Sequence, residues 1–150
     1  MYVLDTNVLS ETVRRNPHPN VIAWIESVPD HRLHTSVIVI GELRRGVQRQ
    51  ARTNLPAARR LDAWLDEVVD SYAFGERLLP VSLQDAFAWG RITADEKLPH
   101  VDALIAAQAL SRDWTVVTRN VKDFERSGVR LLNPFEFDPE GSEGSEGSEV

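Results

Sequence analysis

A chain of 150 residues, 42% of them apolar, is long enough for one domain with a real core and too short for two. It has no cysteine, which excludes a disulfide framework and a thiolate zinc site and points to a reducing compartment, the cytoplasm; no apolar run reaches the length of a membrane span, and the start lacks a basic segment ahead of an apolar one, so neither insertion nor secretion is expected. The net charge of −6 excludes a uniformly basic nucleic-acid binder, yet residues 138–150 hold five acids and no base, leaving about −1 on the rest, and six arginines with no acid fall within residues 43–60.

The first stretch organises the rest. Tyr2, Val3 and Leu4 favour a buried strand, and Asp5-Thr6-Asn7 carry the short polar side chains that cap helices and turns, so Asp5 stands where a strand ends. In an open α/β sheet the ligand crevice lies outside the carboxyl ends of the strands, which makes Asp5 either a helix N-cap or a site acid. Val8, Leu9 and Val13 predict a short helix over residues 6–14, stopped by Asn16-Pro17-His18-Pro19. Val21, Trp24, Ile25 and Val28 predict a second from Asn20 to the break at Pro29-Asp30. Residues 31–35 read as a short strand. Thr35-Ser36 offers two N-caps to VIVIGELRRGVQRQ, whose first four residues have strand composition while Leu43 and Val47 continue a helical spacing; no turn signal divides it, so it is read as a helix. Gly41 weakens that helix, which predicts close approach of a backbone or a ligand. Glu42 falls on the side of Ile38 and Val39, where a carboxylate needs a partner.

Residues 55–73 carry Leu55, Ala58, Leu61, Leu65, Val68 and Tyr72 along one stripe, the clearest amphipathic helix. Residues 78–81 read as a short strand, and Ser82-Leu83-Gln84-Asp85 as a capping box opening a helix through Trp89 and Ile92. After Pro99, residues 100–112 form an alanine-rich helix with Asp102 in its first turn and Ala103, Ala106 and Ala107 small enough for close packing on a sheet. Thr115-Val116-Val117 repeats the opening pattern, an apolar strand running into Thr118-Arg119-Asn120 and then Asp123, and residues 130–132 form a last strand. The repeat GSEGSEGSE has no apolar residue, so residues 138–150 are read as a disordered acidic tail, native or appended, outside a domain of residues 1–137. The alternation of strand and helix predicts an α/β fold, a parallel sheet of about five short strands with helices on both faces.

In that fold Asp5 and Asp123 come from strand ends, and Glu42 and Asp102 from helices packed over them. Clustered carboxylates repel one another unless a cation occupies them, and Mg²⁺ or Mn²⁺, not zinc, suits an all-oxygen set that activates water and neutralises a phosphodiester. Each acid alone reads as a cap or an ion-pair partner; the four at one crevice edge read as a metal site. Among the arginines that follow Glu42, Arg44, Arg45 and Arg49 are either a solvated helix face or a stripe that contacts phosphates. No glycine-rich loop follows the first strand, which argues against a dinucleotide site.

MYVLDTNVLSE, the GEL of Gly41-Glu42-Leu43, HVDALIAAQAL around Asp102 and VVTRNVKDFE ending at Glu125 occur in that order. Together they resemble the PIN-domain family, and within it the VapC toxins of bacterial toxin–antitoxin pairs, including their FitB-like branch. The resemblance runs from Met1 to about Pro134. It implies a Rossmann-like PIN domain acting as a Mg²⁺- or Mn²⁺-dependent endoribonuclease. It further implies Asp5, Glu42, Asp102 and Asp123 as acids and metal ligands, with Thr118 and Asn120 as polar companions; the fourth position falls on Asn120 or Asp123. Also implied are an RNA substrate, a VapB-like antitoxin partner, a homodimer and a toxin–antitoxin hetero-oligomer, with DNA reached only through the antitoxin. The family's other implied function is a non-cleaving subunit of a DNA-binding regulatory complex. The chain has no helix-turn-helix or zinc finger, so operator recognition would then belong to the partner. A pocket of four carboxylates attracts an arginine of such a partner, and Trp24 on the first helices is the candidate apolar anchor for it.

Overall fold

In a computed structural model that describes residues 1–95 and 98–141, short parallel strands alternate with helices along the chain. The strands are β1 (Tyr2–Leu4), β2 (Leu33–Ser36), β3 (Leu78–Leu79), β4 (Thr115–Val117) and β5 (Arg130–Leu132). The helices are α1 (Thr6–Leu9), α2 (Pro19–Ser27), α3 (Val37–Ala51), α4 (Leu55–Phe74), α5 (Leu83–Ile92), α6 (His100–Leu110) and α7 (Val121–Phe124). The expected α/β architecture is therefore present. Most of the expected tail, residues 142–150, lies outside the described residues.

All strand pairings are parallel, in the order β3-β2-β1-β4-β5. The chain moves outward from β1 through β2 to β3, then crosses back to β4 on the other side of β1, so the direction of winding reverses between β1 and β4. Between the strands, α3 packs against α1 and α4, and α6 packs against α5 and α7. Leu4 is level with Thr35 and Val117, which brings Asp5, Ser36 and Thr118 to one edge of the sheet, beside the point of reversal.

Apolar burial holds this edge in place. Val3, Leu4, Val116 and Val117 are at most 1% exposed, and α6 lays Ile105, Ala106 and Ala109 into the same core. Alanine lets the helix backbone come close to the strands, as the small residues predicted. A second cluster of Val47, Ala58 and Leu65 joins α3 to α4. The capping box of α5 is complete: Ser82 accepts the Asp85 N–H at 3.2 Å and Asp85 accepts the Ser82 N–H at 2.9 Å. Asp85 is fully buried and also pairs with Arg112 at 2.7 Å, which ties the start of α5 to the end of α6.

Several expectations need correction. Trp24 is only 4% exposed and packs edge-on against Tyr2, with ring centroids 5.1 Å apart, so it belongs to the core and offers no surface to a partner. A Cβ at Gly41 would meet nothing within 4 Å, so no neighbouring backbone requires that glycine. The first helix is α-helical only to Leu9 and tightens into a 3₁₀ turn over Ser10–Val13, while a 3₁₀ turn over Asp30–Arg32 delays β2 to Leu33. β3 stops at Leu79 because Pro80 has no N–H for the ladder, and the Leu79 and Pro80 carbonyls instead accept the buried Gln108 side chain. α6 ends at Leu110, after which Asp113 takes a left-handed conformation, φ 59°. The stretch beginning at Val37 is a helix as predicted, and Ser36 caps it by accepting the Ile38 N–H at 3.0 Å.

Candidate active site

Asp5 carries the β1–β4 ladder one residue further, its N–H donating to the Val117 carbonyl at 2.9 Å. One carboxylate oxygen accepts the Thr6 N–H at 2.8 Å and caps α1. The other accepts the Thr118 hydroxyl at 2.8 Å and the Asn7 Nδ2 at 3.3 Å. The cap and the shared strand edge are therefore properties of one side chain. Thr118, fully buried, in turn accepts Asn7 Nδ2 at 3.2 Å and the Asn120 N–H at 3.0 Å, and Asn7 Oδ1 accepts the Arg119 N–H at 3.0 Å. Asn7 thus joins the ends of β1 and β4, and Thr6 reaches the other way, its hydroxyl donating to Glu42 Oε1 at 3.0 Å. From the sequence Thr6 and Asn7 read only as capping residues. Their signal was their place beside Asp5 in the Asp-Thr-Asn run.

The helices supply the remaining acids. Glu42 lies in the second turn of α3 and Asp102 in the first turn of α6, and α6 touches both α3 and α7. Asp102 is partly buried, and among the described residues no hydrogen bond supports its carboxylate. Asp123 lies exposed on α7, at the outer side of the group. Asn120 contributes its backbone N–H to Thr118 and leaves its exposed side chain out of the capping of α7.

The electrostatics couple these groups. Burial pushes the Asp102 carboxyl up to about 6, and the charges of Asp5, Glu42 and Asp123 push the same way. Burial also raises Asp5 against the pull of its hydrogen bonds from Thr118, Thr6 and Asn7, with Asp123 adding to the rise. Glu42 is raised by burial and by Asp5, against Thr6 and Arg45. Each of the three is harder to ionise than an ordinary carboxyl, the mark of a negative cluster short of positive charge. Among the described residues, no three such side chains stand close enough to hold one ion between them. The acids share an edge without closing into a cage. The donor set still fits a hard divalent cation: it is all carboxylate oxygen, and Mg²⁺ keeps several waters, so some ligands can act through them.

Of the arginines singled out earlier, Arg44 is bound by Asp62 and by Asp66 on α4, while Arg45 and Arg49 are exposed. A groove of about 370 Å³ opens from Glu42, the one of the four acids that lines it, between α1, α3 and α4, with Thr6, Gly46, Val47, Leu61 and Trp64 among its walls. On the β4–β5 side a more polar cavity of about 350 Å³ is lined by Arg119, Asn120, Lys122, Asp123, Asn133 and Glu136.

The pattern of the PIN domain family matches residues 2–128, a span that contains all four acids. The chain is 33% identical to the plasmid stability protein StbB of Pseudomonas syringae pv. tomato, over 91% of this chain and 99% of that protein. It is 32% identical to the VapC ribonuclease Y4jK of Sinorhizobium fredii, with the same coverage. Among solved structures, FitAB bound to an IR36 DNA fragment superposes with a TM-score of 0.79 at 29% identity, covering 92% of this chain and 98% of that one. Five parallel strands in this order, acids at the reversal point and a matching pattern from Tyr2 onward place the chain in the PIN-domain family, with VapC-type toxins among its relatives.

Proposed function

We propose that the chain is a Mg²⁺- or Mn²⁺-dependent endoribonuclease and the toxin of a toxin–antitoxin pair. The observation that carries this is Asp102: a partly buried carboxylate, without a hydrogen bond among the described residues, facing the charge of three other acids. An arrangement of that kind is unfavourable until a cation occupies it. Asp5, Glu42 and Asp102 are the residues that would hold the ion, with Asp123 at the rim as the fourth. A divalent ion there supplies neutralisation of the phosphodiester and activation of a water. The rest is the work of the chain's own side chains. Thr118 and Asn7 fix the orientation of Asp5, and Thr6 fixes that of Glu42. Burial raises the proton affinity of all three acids, which strengthens their demand for positive charge.

The partner is a small antitoxin, as the FitAB likeness supports. It seats an apolar segment in the groove lined by Val47, Leu61 and Trp64, and from there an arginine reaches Glu42, Asp5 and Asp102. This groove replaces Trp24 as the anchor. Leu83 and Phe87, one turn apart on α5 and 66% and 56% exposed, form the face on which a second copy packs. A non-cleaving role in a DNA-bound complex draws support from the DNA in the FitAB structure, but nothing in such a role requires four intact acids.

The test is cleavage by the purified chain. Single-stranded RNA should be cut with Mn²⁺, spared in EDTA, and spared by Asp5→Asn with Mn²⁺ present. Cutting at full rate in EDTA, or by Asp5→Asn, would reject the proposal.

A further inference from the structure

The groove that begins at Glu42 does not stop at Trp64. It runs into a second cavity of about 290 Å³ that shares Val13, Arg14, Gln50 and Leu61 with it and adds Arg15, Ala57 and Arg60. No acid lines this second cavity. Arg14 is held by the buried Glu11 at 2.9 Å, while Arg15 and Arg60 are exposed and make no ion pair among the described residues. The cavity on the opposite side of the acids differs: Arg119 and Lys122 face Asp123 and Glu136 there, and the charges balance. Gly46 lines the connecting groove without a side chain to fill it, and the space beside it is open, since a Cβ there would meet nothing within 4 Å. We infer that the RNA strand leaves the acids on one flank only, along the groove past Gly46, with its phosphates at Arg15 and Arg60.

This rests on the nuclease reading, gives its substrate a direction, and makes the RNA and the antitoxin segment competitors for one groove, only one of which occupies it at a time. Bases lie against Val13, Leu61 and Trp64, and the backbone follows the arginines, the pairing of apolar wall and positive rim that single strands use. The face carrying Arg44 is left aside, because Asp62 and Asp66 already bind that arginine.

The experiment measures binding of a fluorescent 12-nucleotide single-stranded RNA by anisotropy across a salt series, in the Asp5→Asn background so that the RNA survives. Arg15→Gln with Arg60→Gln should weaken binding about tenfold and flatten the salt slope by about 1.4, roughly 0.7 for each lost phosphate contact. Gly46→Leu, which fills the groove and favours the helix, should weaken binding and leave the slope nearly unchanged. Arg52→Gln with Arg59→Gln, the same charge change elsewhere on the α3–α4 hairpin, should alter affinity less than about twofold. Melting temperatures within about 2 °C of the parent establish that each variant is folded. The inference is overturned if the Arg15/Arg60 pair leaves the slope intact, or if Arg119→Gln with Lys122→Gln carries it instead. Cleavage by the unaltered chain is scored separately. RNA that is cut while Arg15 and Arg60 prove neutral sinks the track and leaves the nuclease standing, whereas RNA that binds along the track but is never cut does the reverse.

Discussion

In metal-free protein, Asp102→Asn should raise stability while abolishing cleavage. The Asp102 carboxyl is pushed up to about 6 by burial first and then by Asp5, Glu42 and Asp123. A rise of about two units corresponds to about 3 kcal/mol if none of it is screened. Asp102 is only partly buried, so water reduces that to about 1.5 kcal/mol. Asparagine also gives up the favourable interaction of a carboxylate with the first turn of α6, about 0.5 kcal/mol, leaving about 1 kcal/mol in favour of the variant. For a chain of this size that is about 2–4 °C in melting temperature. The pH dependence fixes the cause. A carboxyl whose folded pKa exceeds its unfolded value binds more protons folded than unfolded, so the wild type loses stability as pH rises from about 4 to about 6, and the variant, in which only Asp5 and Glu42 still act this way, loses less. Melting curves in EDTA at pH 4 and pH 7.5 should therefore coincide at the acid end and separate at the neutral end. A variant that melts at or below the wild type at pH 7.5, or a gap that ignores pH, refutes the strained-cluster reasoning.

Thr118→Val keeps the buried shape but removes the hydroxyl that donates to Asp5 and accepts from Asn7 and Asn120; activity should fall about tenfold or more, and the rate against Mn²⁺ concentration should shift to higher metal. Asp123→Ala should lose more cleavage than Asn120→Ala in side-by-side assays, because the charge of Asp123 acts on Asp5 and Asp102 while Asn120 contributes its backbone. Asp85→Asn should cost about 2–3 kcal/mol in urea titrations at pH 7, since it breaks a buried pair with Arg112. Burial alone would raise the Asp85 carboxyl, but hydrogen bonds from Ser111, the Ser82 N–H and Arg112 together bring it below its ordinary value. Its stabilising contribution is therefore present above about pH 4 and lost as pH falls through the lower folded value, so the gap between the two proteins should narrow at pH 3.

Much of the fold was legible because its strands announce themselves locally. Tyr2–Leu4 and Thr115–Val117 are apolar runs cut short by polar residues, and the same signal that marks a strand end marks the site. The ambiguous stretch at Val37 was settled by its cap, since Ser36 accepts a backbone N–H and commits the chain to a helix. What stayed hidden depends on the third dimension. Trp24 sits at helical spacing with its neighbours, but only the position of Tyr2 decides that it faces inward. Gly41 and Gly46 break helix propensity alike, and only the placement of α4 makes Gly46 the one that lines a groove. Thr6 and Asn7 read as capping residues because their partners, Glu42 and Thr118, lie 36 and 111 positions away. Likewise Arg44 was indistinguishable from Arg45 until Asp62 and Asp66 came alongside it.

The central claim, that these carboxylates together hold a divalent ion, is tested most directly by titrating Mn²⁺ into the purified chain without RNA and following the free ion by electron paramagnetic resonance. Saturable binding that disappears in Asp5→Asn and in Asp102→Asn, and weakens in Thr118→Val, is the predicted result. Binding that is absent from the wild type, or that persists unchanged in both acid variants, would contradict it.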